Sequence, residues 1–181
     1  MTTLTLVTKA YHHAAIWHAG HRRKGEAAEP YINHLTEVAD LIATATQGTD
    51  LNLVAAAVLH DAIEDAGVAR DQMTQIFNED VATLVAEVTD DKSLPKAERK
   101  RLQVERTPHK SPRAKMIKIA DKTSNLRSIT ETPPTDWPLE RKVEYLEWAR
   151  TVAQGAKGQN VLLDEAFDAA ALELQRHLEG N

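Results

Sequence analysis

Apolar residues recur at helical spacing along almost the whole chain, and no period-two alternation bounded by hairpin residues survives beside them. Leu6, Ala10, Ile16 and Trp17 predict a first helix running to about His21. A loop with Gly25 and Pro30 follows. The next segment, NHLTEVADLIATAT, sets Leu35, Val38, Leu41 and Ile42 on one face of a helix. The break at Gly48, Thr49 and Asp50 offers Thr or Asp as the cap of a helix from Leu51 to about Glu64, closed by Gly67. Further helices are predicted at about 69–77, 79–89, 96–106, 112–130, 139–154 and 160–178. Pro95, Pro108, Pro112, Pro133, Pro134 and Pro138 fall at the boundaries of these segments, where proline costs least. The expected fold is all-α, a compact bundle of about eight to ten helices in which residues 1–181 form one domain. The connection ETPPTDWP, with an exposed-looking Trp137, reads by composition as a solvated linker, with a substrate-facing loop as the alternative.

Composition narrows the function more than the fold. Charged residues make up 27% and apolar residues 42% of 181, ordinary for a soluble globular chain. A net charge of −5 argues against a general nucleic-acid-binding surface. The absence of cysteine excludes disulfides, thiolate ligands and a cysteine nucleophile together. Lys9 and several histidines stand where a signal peptide needs an unbroken apolar run, and no segment is long enough to cross a bilayer. A cytoplasmic protein without a membrane partner is expected. Oligomeric state is not legible.

One stretch breaks the apolar pattern abruptly. In AAAVLHDAIEDAG, His60, Asp61, Glu64 and Asp65 follow a run that belongs in a core. Burying so many ionisable groups is unfavourable unless something pairs with them, and a divalent cation accepts both imidazole and carboxylate. Adjacent residues on a helix diverge by about 100°, so further ligands must come from other segments. His34, in PYINHL, is one candidate, and Asp121, which interrupts Met116, Ile117, Ile119 and Ala120, is the other. Taken singly, His34 reads equally as a capping or core histidine, and Asp121 as a partner of Lys118 or Lys122. Taken together, His34, His60, Asp61 and Asp121 make a mixed nitrogen and oxygen site suited to manganese, iron or zinc rather than calcium. This pattern points to a metal-dependent hydrolase of the HD type. Glu64, three residues after Asp61, is the carboxylate expected nearest the metal. His12, His13, His18 and His21 have no accompanying carboxylate and read as surface residues.

Four segments in unchanged order, RRKGEAAEPYINH, AVLHDAIEDAG, VAEVTDDKSLPKAERKRLQVE and KIADKTSNLRSI, resemble the small alarmone hydrolases. These are stand-alone relatives of the hydrolase half of Rel/Spo enzymes, and the likeness is nearest to the metazoan Spo-type homologues. It extends from about Tyr11 to Leu172 and includes the EYLEWA segment around Tyr145 and Trp148. The resemblance implies an all-α HD fold holding one Mn²⁺ on His34, His60, Asp61 and Asp121. It implies hydrolysis of the 3′-diphosphate of ppGpp or pppGpp to GDP or GTP and pyrophosphate, with Glu64 and Asp65 handling the attacking water. It places Arg23 and Lys24 at the site, Arg23 against the purine face, and Asn125 facing the nucleotide. Lys96, Arg141 and Tyr145 correspond to phosphate or ribose contacts, and Trp137 to the loop over the pocket.

Other readings stay open beside these. The ERKR run at 98–101 reads as a solvated helix face, and Tyr145 and Trp148, three apart, also fit a core. Nothing in the sequence decides whether Arg106, His109 and Lys110 reach substrate. Ala62 and Ala66 stand where threonine is usual, removing hydroxyls that hold ligands or water in place. Thr123 and Ser124 stand where relatives often carry bulkier residues, which shifts the expected pocket wall toward a different base. The rivals are therefore an enzyme acting on ppApp, an NADPH 2′-phosphatase, and a catalytically silent nucleotide sensor. No synthetase segment fits beside the hydrolase in this length, so degradation alone is expected.

Overall fold

Every residue from Leu53 to Leu59 is buried, so this segment has no polar face and lies inside a helical assembly. The computed structural model describes residues 3–180, and among them are ten α-helices and a short 3-10 turn. The helices are α1 Thr3–Trp17, α2 Ile32–Ala45, α3 Leu51–Val58, α4 Ala62–Ala66 and α5 Arg70–Ile76. They continue with α6 Glu79–Val88, α7 Lys96–Arg106, α8 Pro112–Glu131, α9 Leu139–Ala156 and α10 Val161–Glu179. Helix α3 packs against α1, α2 and α6, and α8 packs against α2, α6, α9 and α10. The extended pairing among the described residues is a single antiparallel bridge between Arg22 and Pro30. The all-α expectation holds.

The caps explain most boundaries. Asp50, rather than Thr49, caps α3 by accepting from Leu53 N at 3.0 Å. Asn78, Ser111 and Asn160 do the same for α6, α8 and α10. Helix α1 stops at Trp17, short of the expected His21, because the bonds tighten to the third residue back, Ala19 N to Ile16 O and His21 N to His18 O. Trp137 is half-buried rather than exposed, packed at 5.6 Å from the Tyr145 ring.

The expected helix from Leu51 to Glu64 is two helices. Leu59 and Asp61 adopt φ/ψ of −102°/2° and −98°/1°, which ends α3 before the ionisable residues and restarts the chain as α4. His60 Nδ1 bonds the Ala57 carbonyl at 2.8 Å, occupying an acceptor that a continuous helix needs for itself. Gly67, at φ 68°, closes α4 in the left-handed conformation.

Candidate active site

The break between α3 and α4 solves a geometric problem. On an unbroken helix the His60 and Asp61 side chains diverge. In the turn they converge, with His60 Nε2 3.1 Å from Asp61 Oδ2. His34, in the first turn of α2, brings its Nε2 to 3.8 Å from the same oxygen and 3.4 Å from Asp121 Oδ1 on α8. His60 Nε2 lies 3.9 Å from that Asp121 oxygen. The ligand atoms of His34, His60 and Asp121 all fall within 4.8 Å of one another, with all three residues buried. Three segments far apart in sequence thus aim four candidate ligands at one point.

The donor chemistry fits a divalent cation. The Ala57 carbonyl can only accept, so His60 Nδ1 carries the hydrogen and Nε2 presents its lone pair. That Nε2 is buried and has no hydrogen-bond partner. A ligand–metal distance of about 2.0–2.2 Å puts neighbouring ligands roughly 3 Å apart, close to the spacing here. Burial lowers the His34 pKa, keeping that imidazole neutral as a ligand must be. Burial pushes Asp61 up, but the His60 and His34 imidazoles outweigh it and hold its carboxyl well below the usual range. Asp121 is likewise held low against burial, first by Lys122, 2.8 Å away, and then by the two imidazoles. Burial opposes charge on His60, yet Asp61 and Asp121 raise its pKa to about 9, so the proton that Nε2 shares with Asp61 is the one a cation would replace. The cluster holds anionic oxygens and imidazoles together, as a cation requires.

Glu64 and Asp65 line the same chamber, a cavity of about 210 Å³ whose other walls include Tyr31, Arg99, Lys118 and Lys122. Glu64 accepts from Asp90 N at 3.1 Å and from Arg99 at 3.3 Å, and burial raises its pKa. Asp65 pairs with Lys92. The Tyr31 hydroxyl donates to Asp61 Oδ2 at 2.7 Å, the same oxygen that both histidines approach.

The chamber opens into a cleft of about 1140 Å³ between the 22–30 loop, α7, the end of α8 and the start of α9. Arg23, Lys24, Lys96, Asn125, Arg141 and Tyr145 all line it, so the structure brings every expected substrate-binding residue to one cavity. Arg23 donates to Asn125 Oδ1 at 3.1 Å and lies over the Tyr31 ring. Arg141 covers the Trp137 indole at 4.3 Å. Lys96 carries a lowered pKa, through burial first and then repulsion from Arg141, Lys24 and Arg99.

Three sequence readings need correction. The ERKR run is not simply a solvated face. Arg99 and Lys100 line both cavities, while Glu98 and Glu105 bind Arg101 on the outside of α7. His18 is not a surface residue. It is buried at 2% exposure, stacked on Tyr31 at 5.5 Å, with His13 and His21 half-buried and His12 alone exposed. Thr123 and Ser124 do not form the pocket wall. Thr123 bonds Ile119 O within α8, Ser124 contacts His34, and neither lines the chamber or the cleft. Arg106, His109 and Lys110 also lie outside both cavities.

Sequence reasoning passed over Lys118 and Lys122 as site residues, although a signal was present. Lys118, Asp121, Lys122 and Asn125 fall at i, i+3, i+4 and i+7 beside the apolar Met116, Ile117, Ile119, Ala120 and Leu126, a polar stripe on one face of the helix. Tyr31 and His18 carried no comparable signal.

The HD domain family matches residues 10–171. The proteins of Mus musculus and Homo sapiens named guanosine-3′,5′-bis(diphosphate) 3′-pyrophosphohydrolase MESH1 are each 47% identical over 154 residues, covering 85% of this chain and 86% of theirs. The solved structure of a metazoan orthologue of SpoT, described as hydrolysing ppGpp with a role in starvation responses, superposes with a TM-score of 0.89. It is 40% identical and covers 96% of both chains.

Proposed function

This chain belongs to the HD domain family, and from that premise we propose that it is a Mn²⁺-dependent (p)ppGpp 3′-pyrophosphohydrolase. It acts as a single hydrolase domain, without synthetase activity, in the cytoplasm. The observation that carries this reading is one continuous space. His60, Asp61 and Asp121, with His34 within 4.8 Å of His60 and Asp121, share with Glu64 and Asp65 a chamber beside a cleft lined with cations. A substrate bearing two diphosphates needs both a cation at its reacting phosphorus and positive side chains along its length.

In this reading His34, His60, Asp61 and Asp121 hold Mn²⁺, which supplies charge stabilisation at the phosphoryl oxygens and a more acidic water. The reaction exchanges the bond between the 3′ oxygen and phosphorus for a bond to the water oxygen. One proton leaves the water and one reaches the ribose 3′ oxygen. Glu64 takes the water proton, its pKa raised by burial. Asp65 orients the water. Lys96, Arg99 and Lys100 receive the diphosphate, and Arg23, steadied by Asn125, lies against the purine. Because Thr123 and Ser124 stay out of the cleft, the argument for an adenine base that rested on them falls away.

The test is product analysis after metal-stripped protein meets Mn²⁺ and an equimolar mixture of ppGpp, ppApp and NADPH. GDP and pyrophosphate appearing fastest from ppGpp is the expected result. Faster loss of ppApp or NADPH keeps the chemistry and overturns the substrate. No turnover of any of them makes the chain a nucleotide sensor.

A further inference from the structure

His60 Nδ1 is oriented by the Ala57 carbonyl, whereas His34 Nδ1 meets the side chain of Ser124. Ser124 Oγ lies 2.8 Å from His34 Nδ1 and 2.6 Å from Glu37 Oε2. A carboxylate only accepts, so the single hydroxyl proton of Ser124 is committed to Glu37. What Ser124 offers His34 is then a lone pair, and Nδ1 must carry the hydrogen. The lone pair of His34 is left on Nε2, the atom that faces Asp121 and Asp61. Arg127 grips the other Glu37 oxygen at 2.9 Å and keeps the carboxylate from turning away. Helix α2 supplies His34 and Glu37 three residues apart, and α8 supplies Ser124 and Arg127 with the same spacing, so the four interlock where the helices cross.

We propose that Glu37 and Ser124 form a carboxylate–hydroxyl relay that fixes His34 with Nε2 turned to the cation and so sets the metal affinity of the site. Both are positioning residues that act only through His34. The relay does for His34 what a directly bonded carboxylate does for many metal-bound histidines, with the serine extending its reach across the helix pair. Ser124 is 1% exposed and lines neither cavity, so no contact with substrate competes with this role. The inference rests on reading the cluster as a metal centre.

The test is titration of metal-stripped protein with Co²⁺, followed by visible absorption, with Mn²⁺ competing for the same sites. Ser124→Ala is expected to weaken binding roughly 10- to 100-fold and alter the cobalt spectrum, with Glu37→Gln weakening it by a smaller factor. The double variant should bind no more weakly than Ser124→Ala alone, because Glu37 has no route to the metal except the serine. Wild-type affinity in Ser124→Ala overturns the relay. If Ser124→Ala does not fold, Glu37→Gln decides, and wild-type affinity and spectrum there overturn it equally. Additive losses overturn the shared route. If the wild-type protein binds neither ion, the metal reading itself fails and the relay goes with it.

Discussion

The chamber and the cleft are adjacent, yet they handle charge in opposite ways. In the chamber the two buried carboxylates are answered by neighbouring side chains: Asp61 by His60 and Tyr31, Asp121 by Lys122 and Asn125. These groups sit on helices or on the tight turn between α3 and α4. In the cleft, Lys96 is crowded by Lys24, Arg99 and Arg141, Lys100 is crowded by Lys96, and part of the wall is the 22–30 loop. The chamber is complete apart from one cation, whereas the cleft stays electrostatically unsatisfied until a polyanion enters. Stability should therefore depend on the first region and substrate affinity on the second.

The sharpest way to break that contrast is to open the chamber. Asp121→Ala removes a candidate ligand and leaves Lys122, 4% exposed, without its counter-ion. Breaking a buried pair from one side costs about 3–5 kcal/mol, so denaturant unfolding of the metal-free variant should shift by that order. Adding Lys122→Met should recover most of the stability and none of the Co²⁺ binding. Recovery of both would mean that Asp121 serves only the ion pair.

The cleft should respond in affinity and leave folding alone. Lys96→Ala is expected to raise KM about tenfold, near the value of one charge-assisted hydrogen bond, with kcat changing much less. Its pH dependence follows from the lowered pKa values of Lys96 and Lys100, for which burial is the first cause and neighbouring cations the next. A depressed lysine loses its charge at lower pH than an ordinary one. Pyrophosphate affinity should therefore fall before the pH reaches the usual lysine range. Replacing both with arginine, which stays charged, should carry the fall to higher pH. An unchanged profile would place the ligand elsewhere.

The same contrast explains what the sequence disclosed. The chamber was legible because ionisable residues in apolar runs are anomalies wherever they occur, and His34, His60, Asp61 and Asp121 each interrupt one. The break at Leu59 escaped along with Tyr31, Lys118 and Lys122, since helical periodicity does not register a side chain taking a backbone acceptor. The cleft was harder, because basic residues on a helix are ordinary. Even so, Glu98 and Glu105 both sit within one turn of Arg101, and Arg99 has no carboxylate three or four residues away on its helix. That asymmetry separated the outer face of α7 from the inner one. Ser124 was noticed as unusual but assigned to the wrong wall, for its partners His34 and Glu37 lie about ninety residues away.

A smaller test asks whether the loop wall acts by position alone. At Gly25 a Cβ would collide with the Thr132 backbone carbonyl at the end of α8, so the loop there approaches as closely as glycine allows. Gly25→Ala must push Arg23 and Lys24 outward. Displacements of about 1 Å at a positioning contact cost up to roughly 100-fold in rate, so kcat/KM should drop by 10-fold or more. Co²⁺ affinity should not move, because no candidate ligand lies on the loop. A matching loss of metal affinity would show that the two regions are mechanically coupled.

The smallest effect should come three residues on. Ala28 holds φ 44°, a left-handed conformation that costs an alanine about 1–2 kcal/mol and a glycine almost nothing. The loop keeps it there through Ala28 N to Gly25 O and Arg23 N to Glu29 O, both 2.9 Å, which close the turn that presents Arg23. Ala28→Gly relieves the strain but gives the unfolded chain more freedom, an offset of about 0.4–1 kcal/mol. The net gain should be within about 1 kcal/mol, a rise of no more than about 2–4 °C in Tm for a chain of this length. Because the turn keeps its bonds, KM should hold within about twofold, or roughly 0.4 kcal/mol. A stabilised variant with a higher KM would mean that the strain itself holds Arg23 in place, and the loop would then be as finely set as the chamber.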